Sequence, residues 1–284
     1  VRGRVGMLAV VLGAVVVCGC GRQTPSAAPD RIVVGVCDPL AVETASPCVR
    51  ASAKREYGEF VSALGRRTGL EIVLKYCASD RDLSEAIAAG EVNAAVGKTW
   101  TILRAAKASG RTFRRLADLP GPGGESELTG VFIVRRDSPL KTLADLDGRT
   151  VALGPDAAYE KSHAARRALE AAGATPRAVR ILDGCVPVAA AVLEKELDAG
   201  VVSHYVVDFN GLALVGDPND FREIGRTAPI PFMTFAVSAE VDERHGSELY
   251  DALLGPSRLK PPVGLQTAGF DVPTTWSPPE LEKK

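Results

Sequence analysis

Lys98, Thr99 and Trp100 are consecutive in the chain. An ammonium, a hydroxyl and an indole at one point suit the capture of an anion or of a zwitterion with an apolar part. The lysine would pair with the charge and the indole would stack. His204 and Tyr205 form a second polar pair, and Asp38 directly follows Cys37. No set of residues is spaced for turnover. The sequence contains no Gly-x-Ser-x-Gly, no Walker loop and no His-Glu-x-x-His. Cys185 has no base partner defined by spacing, so it does not read as a nucleophile. The residues point to binding rather than catalysis, and call for no cofactor.

The elements that must position these residues alternate. Short apolar runs over 32–36, 70–76, 93–96, 128–135, 150–153, 179–182, 200–203 and 232–237 predict strands. Amphipathic runs over 54–67, 80–89, 100–108, 157–172, 188–197 and 241–254 predict helices. Ser79 is placed to cap the second of these, and Gly90 follows its end. Leu119–Glu125 is a turn-rich break. This alternation predicts an α/β chain with mostly parallel sheets flanked by helices. Two cycles joined by two extended crossings make a two-lobed clamshell with hinges near residues 130 and 230. The expected division is 31–130 for the first part of lobe 1, 131–228 for lobe 2, and 229–284 for the return and a tail. Ligands of open α/β sheets bind beyond the carboxyl ends of the strands. That rule gathers Asp38, Lys98, Thr99, Trp100, His204 and Tyr205 at a shared cleft.

Residues 1–23 carry an address. Arg2 and Arg4 precede an apolar run from Met7 to Val17. Eleven residues fall short of the ~20 needed to span a bilayer and suit a secretory signal. Val17-Cys18-Gly19-Cys20 resembles a bacterial lipoprotein signal, which implies cleavage after residue 19 and lipid on Cys20. Residues 20–30 then read as a flexible tether. The expectation is a lipid-anchored protein in the periplasm or on the outer face of the cell membrane.

Composition narrows the partners. The 284 residues carry 34 Lys+Arg against 35 Asp+Glu, a formal net charge of −1. This gives no basic footprint for nucleic acid. Six cysteines are present; an exported chain would pair those of its body. Cys37 and Cys48 are the expected disulfide, with Cys37–Cys77 as the rival. Cys77–Cys185 is disfavoured because it would join the lobes. A further alternative places Cys37, Cys77 and Cys185 with His204 around soft Cu(I) or Zn(II). No metal-ligand spacing accompanies it.

Thr129–Gly154 (TGVFIVRRDSPLKTLADLDGRTVALG) resembles the hinge and lobe-entry segment of solute-binding proteins of the phosphate/phosphite/phosphonate type. These belong to the type II periplasmic binding superfamily. Tyr57…Leu64…Thr68-Gly69, Glu196–Val201 and Pro229-Ile230-Pro231 agree with it in order. The resemblance implies a monomer that captures a small anionic or zwitterionic solute by lobe closure and hands it to an ABC permease. A ligand-sensing lipoprotein of the same fold is the alternative. In the family a hydroxyl-rich run binds the anion at the first helix of the second lobe. Here Ala157, Ala158 and Tyr159 stand in its place, and Lys161, Ser162 and His163 would supply donors one turn later. The resemblance therefore adds Tyr159, Lys161 and Ser162 to the expected ligand contacts.

Overall fold

The computed structural model describes residues 31–282. The signal segment and the Cys20 lipid site lie outside the described residues. The first part of the chain forms β1 (Arg31–Cys37), α1 (Gly58–Thr68), β2 (Glu71–Tyr76), α2 (Asp80–Ala88), β3 (Ala94–Lys98), α3 (Thr99–Ala108) and β4 (Phe113–Asp118). It crosses through β5 (Glu127–Leu128) into β6 (Gly130–Arg135), β7 (Thr150–Leu153), α4 (His163–Ala171), β8 (Ala178–Ile181), α5 (Cys185–Leu193), β9 (Ala199–Ser203), α6 (His204–Asp208) and β10 (Phe221–Arg226). It returns through β11 (Ile230–Pro231) to β12 (Met233–Ser238), α7 (Ala239–Leu254) and a terminal α8 (Pro279–Glu282).

Two five-stranded sheets result, in the orders β2-β1-β3-β12-β4 and β10-β6-β9-β7-β8. Each sheet, with its helices, is one lobe. One side of each is parallel: β1 with β2 and β3, and β7 with β8 and β9. The strands next to the crossings add antiparallel pairs, β12 between β3 and β4, and β6 between β9 and β10. β5 and β11 pair with each other, Leu128 opposite Ile230. The two passages between lobes therefore run side by side.

Local chemistry explains most boundaries. The Ser79 hydroxyl accepts from the Asp82 N–H, and the Asp82 carboxylate accepts from the Ser79 N–H, both at 3.1 Å. This capping box starts α2. β12 reads MTFAVS and is buried at every position, as a strand inside a covered sheet must be. Phe60 anchors the first lobe, with ring centroids 6.0 Å from Phe235 and 5.6 Å from Phe270.

Three expectations shift. α4 starts at His163 rather than at 157, because the Gly154 N–H donates to the Lys161 carbonyl at 2.9 Å and closes a loop in place of a first helical turn. α5 starts at Cys185 rather than at 188, because its first turn tolerates Pro187. β4 (FRRLAD) and β10 (FREIGR) lie at sheet edges. Charged residues suit edges and break the apolar pattern. Among the described residues no helix is long and apolar enough to cross a membrane.

Candidate functional site

The lobes meet where the carboxyl ends of β3 and β9 face the loop after β7. Lys98 ends β3 and its Nζ donates to Glu160 Oε1 of the second lobe at 2.9 Å. Glu160 is 1% exposed and also accepts from the Ser203 hydroxyl at 2.6 Å. Gly130 makes room for this arrangement, since a Cβ there would come within 2.3 Å of the Glu160 carbonyl oxygen. Burial alone would raise the Glu160 carboxyl. The Lys98 and Lys161 ammoniums and the Ser203 hydroxyl outweigh it and hold the group down to about 2. Burial would likewise lower Lys98, but Glu160 and Tyr205 raise it.

Lys161 follows Glu160 and is also buried. Its Nζ lies 3.6 Å from Cys185 Sγ, and the Ser203 N–H donates to the same sulfur at 3.5 Å. Cys185 opens α5 after Gly184, whose φ of +104° favours glycine. Tyr205 stacks on Phe232 with ring centroids 5.6 Å apart, and the Lys98 ammonium sits 4.9 Å from the Tyr205 ring centre. Lys98, Lys161, Tyr205, Cys48, Cys185 and Asp183 line one cavity of about 330 Å³. Lys98 also borders a second space of about 190 Å³, with Asp38, Asp80 and Pro155 on its walls.

The structure thus brings Lys98, Lys161 and Tyr205 together. Asp38 lines the second space beside Lys98, and the other expected contacts, Thr99 apart, make bonds of their own. The Asp38 carboxylate is committed within the first lobe, to Arg55 at 3.1 Å, the Tyr57 hydroxyl at 2.7 Å and the Leu40 N–H at 2.9 Å. The Thr99 hydroxyl is buried without a hydrogen-bond partner. Trp100 donates from Nε1 to the Asp156 carbonyl at 2.8 Å. It packs on Tyr159 at 4.8 Å and on Trp276 at 6.3 Å, beside a different cavity of about 550 Å³. The Tyr159 hydroxyl meets Arg167 and Glu280. The Ser162 hydroxyl donates to its own loop at the Ala158 carbonyl. His204 Nδ1 accepts from the Thr129 N–H at 3.2 Å, and burial pushes its imidazolium down.

The expected Cys37–Cys48 disulfide is corrected: Cys37, Cys48, Cys77 and Cys185 are free thiols. The loop after β1 carries Cys48 to the second lobe, where a Cβ on Gly211 would lie 2.6 Å from the Cys48 carbonyl oxygen. Cys37 packs with the cluster that contains Cys77. Cys37 and Cys77 therefore do not meet Cys185. Among the described residues no group of three His, Cys, Asp or Glu is placed to hold a metal ion, so the soft-metal constellation does not assemble. Residue spacing missed Glu160 and the meeting of Cys48 with Cys185. The adjacent charges Glu160-Lys161, buried beside alanines, were the available signal for the first.

Residues 47–264 match the family model of the periplasmic substrate-binding protein of phosphonate ABC transporters. Among solved structures, a Xanthomonas citri protein bound to chloride is 21% identical, with 87% of this chain and 92% of that chain covered and a TM-score of 0.65. A binding-protein component of a phosphonate ABC transporter from Pseudomonas aeruginosa is 15% identical, with 86% and 81% covered and a TM-score of 0.60. PhnD1 from Prochlorococcus marinus, in complex with methylphosphonate, is 14% identical, with 86% and 93% covered and a TM-score of 0.60. These likenesses show the fold. No curated protein sequence matches the chain.

Proposed function

Because the chain belongs to the family of periplasmic substrate-binding proteins of phosphonate ABC transporters, we propose that it captures a small anionic or zwitterionic solute in the cleft between its lobes. The family consists of extracytoplasmic binding proteins that serve ABC permeases, not of enzymes. The finer parts of the reading are the division into lobes at 31–130, 131–228 and 229–284, a single-copy working form, and a lipid anchor at Cys20. The anchor would keep the solute-loaded protein near its permease.

One observation carries the ligand class. Lys98 from the first lobe and Lys161 from the second converge on the same cavity. An anion between them would contact both lobes, and only such a ligand shifts the balance toward closure by differential affinity. Glu160 sits against Lys98 and Cys185 Sγ against Lys161, so a bound anion would compete with these two groups for the lysines. The methylphosphonate held by the Prochlorococcus marinus protein is a ligand of this class. A hydroxyl-lined helix start is absent at 157–159, so the lysines and Tyr205 would replace it as donors.

A thermal-shift screen tests the reading, with methylphosphonate, phosphate, phosphite, alkylsulfonates, amino acids and neutral sugars as probes. A hundredfold excess over Kd adds about 2.7 kcal/mol, or roughly 5–10 °C for a chain of this size. Stabilisation by small phosphorus or sulfur oxyanions is expected. Stabilisation by the neutral compounds alone would contradict it.

A further inference from the structure

The dithiol in the cleft is not explained by solute capture. Cys48 comes from the first-lobe loop and Cys185 from the first turn of α5 in the second lobe, and both side chains line the cavity of about 330 Å³. Cys185 is supported as a thiolate on several sides. The Lys161 ammonium lies 3.6 Å from Sγ, the Ser203 N–H donates to it at 3.5 Å, and Cys185 is the first residue of α5. The thiols act on each other: Cys48 first, then Lys161 and Ser203, hold Cys185 well below the ordinary thiol range. Cys185, with burial, pushes Cys48 up. One low thiol beside one high thiol is the arrangement of an attacking and a resolving cysteine. The remaining two described thiols lack it. Burial raises both Cys37 and Cys77, and neither lines the cavity with Lys161.

We propose that Cys185 and Cys48 form a redox-active dithiol site that reacts with small disulfides of low-molecular-mass thiols and, once oxidised, bolts the two lobes together. In the open form, with Cys48 drawn away, the Cys185 thiolate held by Lys161 and the Ser203 N–H attacks one sulfur of RSSR. The S–S bond of RSSR breaks, RS⁻ leaves, and a mixed disulfide forms on Cys185. As the lobes close, Cys48 gives up its proton and attacks the Cys185 sulfur, and the second RS⁻ leaves. The two protein sulfurs lose two electrons and RSSR gains them; one RS⁻ and one RSH, protonated by the Cys48 proton, are released. An extracytoplasmic compartment supplies such oxidants. The bond would join the first-lobe loop to α5 across the cavity, so the oxidised protein could neither load nor release solute. The site shares Lys161 with the proposed anion cleft, so its test reads the thiols and not solute affinity.

The chain with Cys18→Ser and Cys20→Ser, reduced and then exposed to glutathione disulfide, tests the proposal by alkylation and peptide mapping without reduction. The expected product is a single bond between the peptides carrying Cys48 and Cys185, with Cys37 and Cys77 alkylated. In Cys48→Ser the glutathionyl group should remain on Cys185, because nothing resolves it. In Cys185→Ser, Cys48 should stay unmodified. A Cys37–Cys77 bond in place of Cys48–Cys185, all thiols still alkylatable, or glutathione on Cys48 of Cys185→Ser would each overturn it.

Discussion

Lys98 and Glu160 form a buried ion pair of 2.9 Å that runs from the first lobe to the second. Its lysine is 13% exposed at the side chain and its carboxylate 1%. The pair sits beside the cavity that also holds Lys161, so the charges that join the lobes are the charges a bound anion would meet. A solute anion would compete with Glu160 for Lys98 and be compensated by Lys161.

This pair has a pH signature. The Glu160 carboxyl is held at about 2 against an ordinary 4.5. A depressed acid stabilises the folded, closed form fully above the ordinary value, and the gain is lost as pH falls through the depressed one. Glu160→Gln should therefore be less stable than wild type at neutral pH. The difference should shrink as pH drops from 4.5 toward 2. Urea denaturation of both proteins across that range reads it. A difference independent of pH would show that the charge of Glu160 is not the source.

Asp38 should behave as a structural residue. It neutralises Arg55, whose side chain is 3% exposed. Removing one partner of a buried pair costs about 3–5 kcal/mol. Asp38→Ala should lose stability on that scale in denaturant melts, while whatever anion affinity the folded fraction retains stays near wild type. A stable Asp38→Ala that no longer bound anions would return Asp38 to the binding site.

Trp100 and Trp276 are the two tryptophans of the chain and pack in one cluster with Tyr159. Trp100 bonds across to Asp156 and is 5% exposed. Lobe opening should wet its indole and move emission to longer wavelength, and a closing ligand should reverse the shift. Saturation with a ligand that calorimetry shows to bind, with no change in emission, would argue against closure at this seam.

Gly130 is required by its neighbour rather than by its own backbone. Gly130→Ala would drive a Cβ to 2.3 Å from the Glu160 carbonyl oxygen. The loop carrying Glu160 and Lys161 must then move, at about 1–3 kcal/mol. Both thermal stability and anion affinity should fall together. An unchanged affinity would mean that the loop position does not set the site.

The sequence carried the strands well wherever they were buried on both faces, as in β1 and β12, because such strands are nearly unbroken apolar runs. β4 and β10 escaped because edge strands need charge. The lysine of β3 was legible because it follows a strand directly. Glu160 and Cys48 were not. Each gains its role only when a loop bends back against the other lobe, and no local spacing encodes that contact. Asp38 stood beyond a strand end in the expected place, but Arg55 and Tyr57, seventeen and nineteen residues onward, had already claimed its oxygens.

Calorimetric titration of methylphosphonate into wild type, Lys98→Met and Lys161→Met tests the anion cleft most directly, with circular dichroism to verify folding. The prediction is one site per chain in wild type and a loss of about tenfold to a hundredfold in each variant, the scale of a hydrogen bond to a charged group. Equal affinity in all three folded proteins would place the anion elsewhere and contradict the cleft between Lys98 and Lys161 as the site of capture.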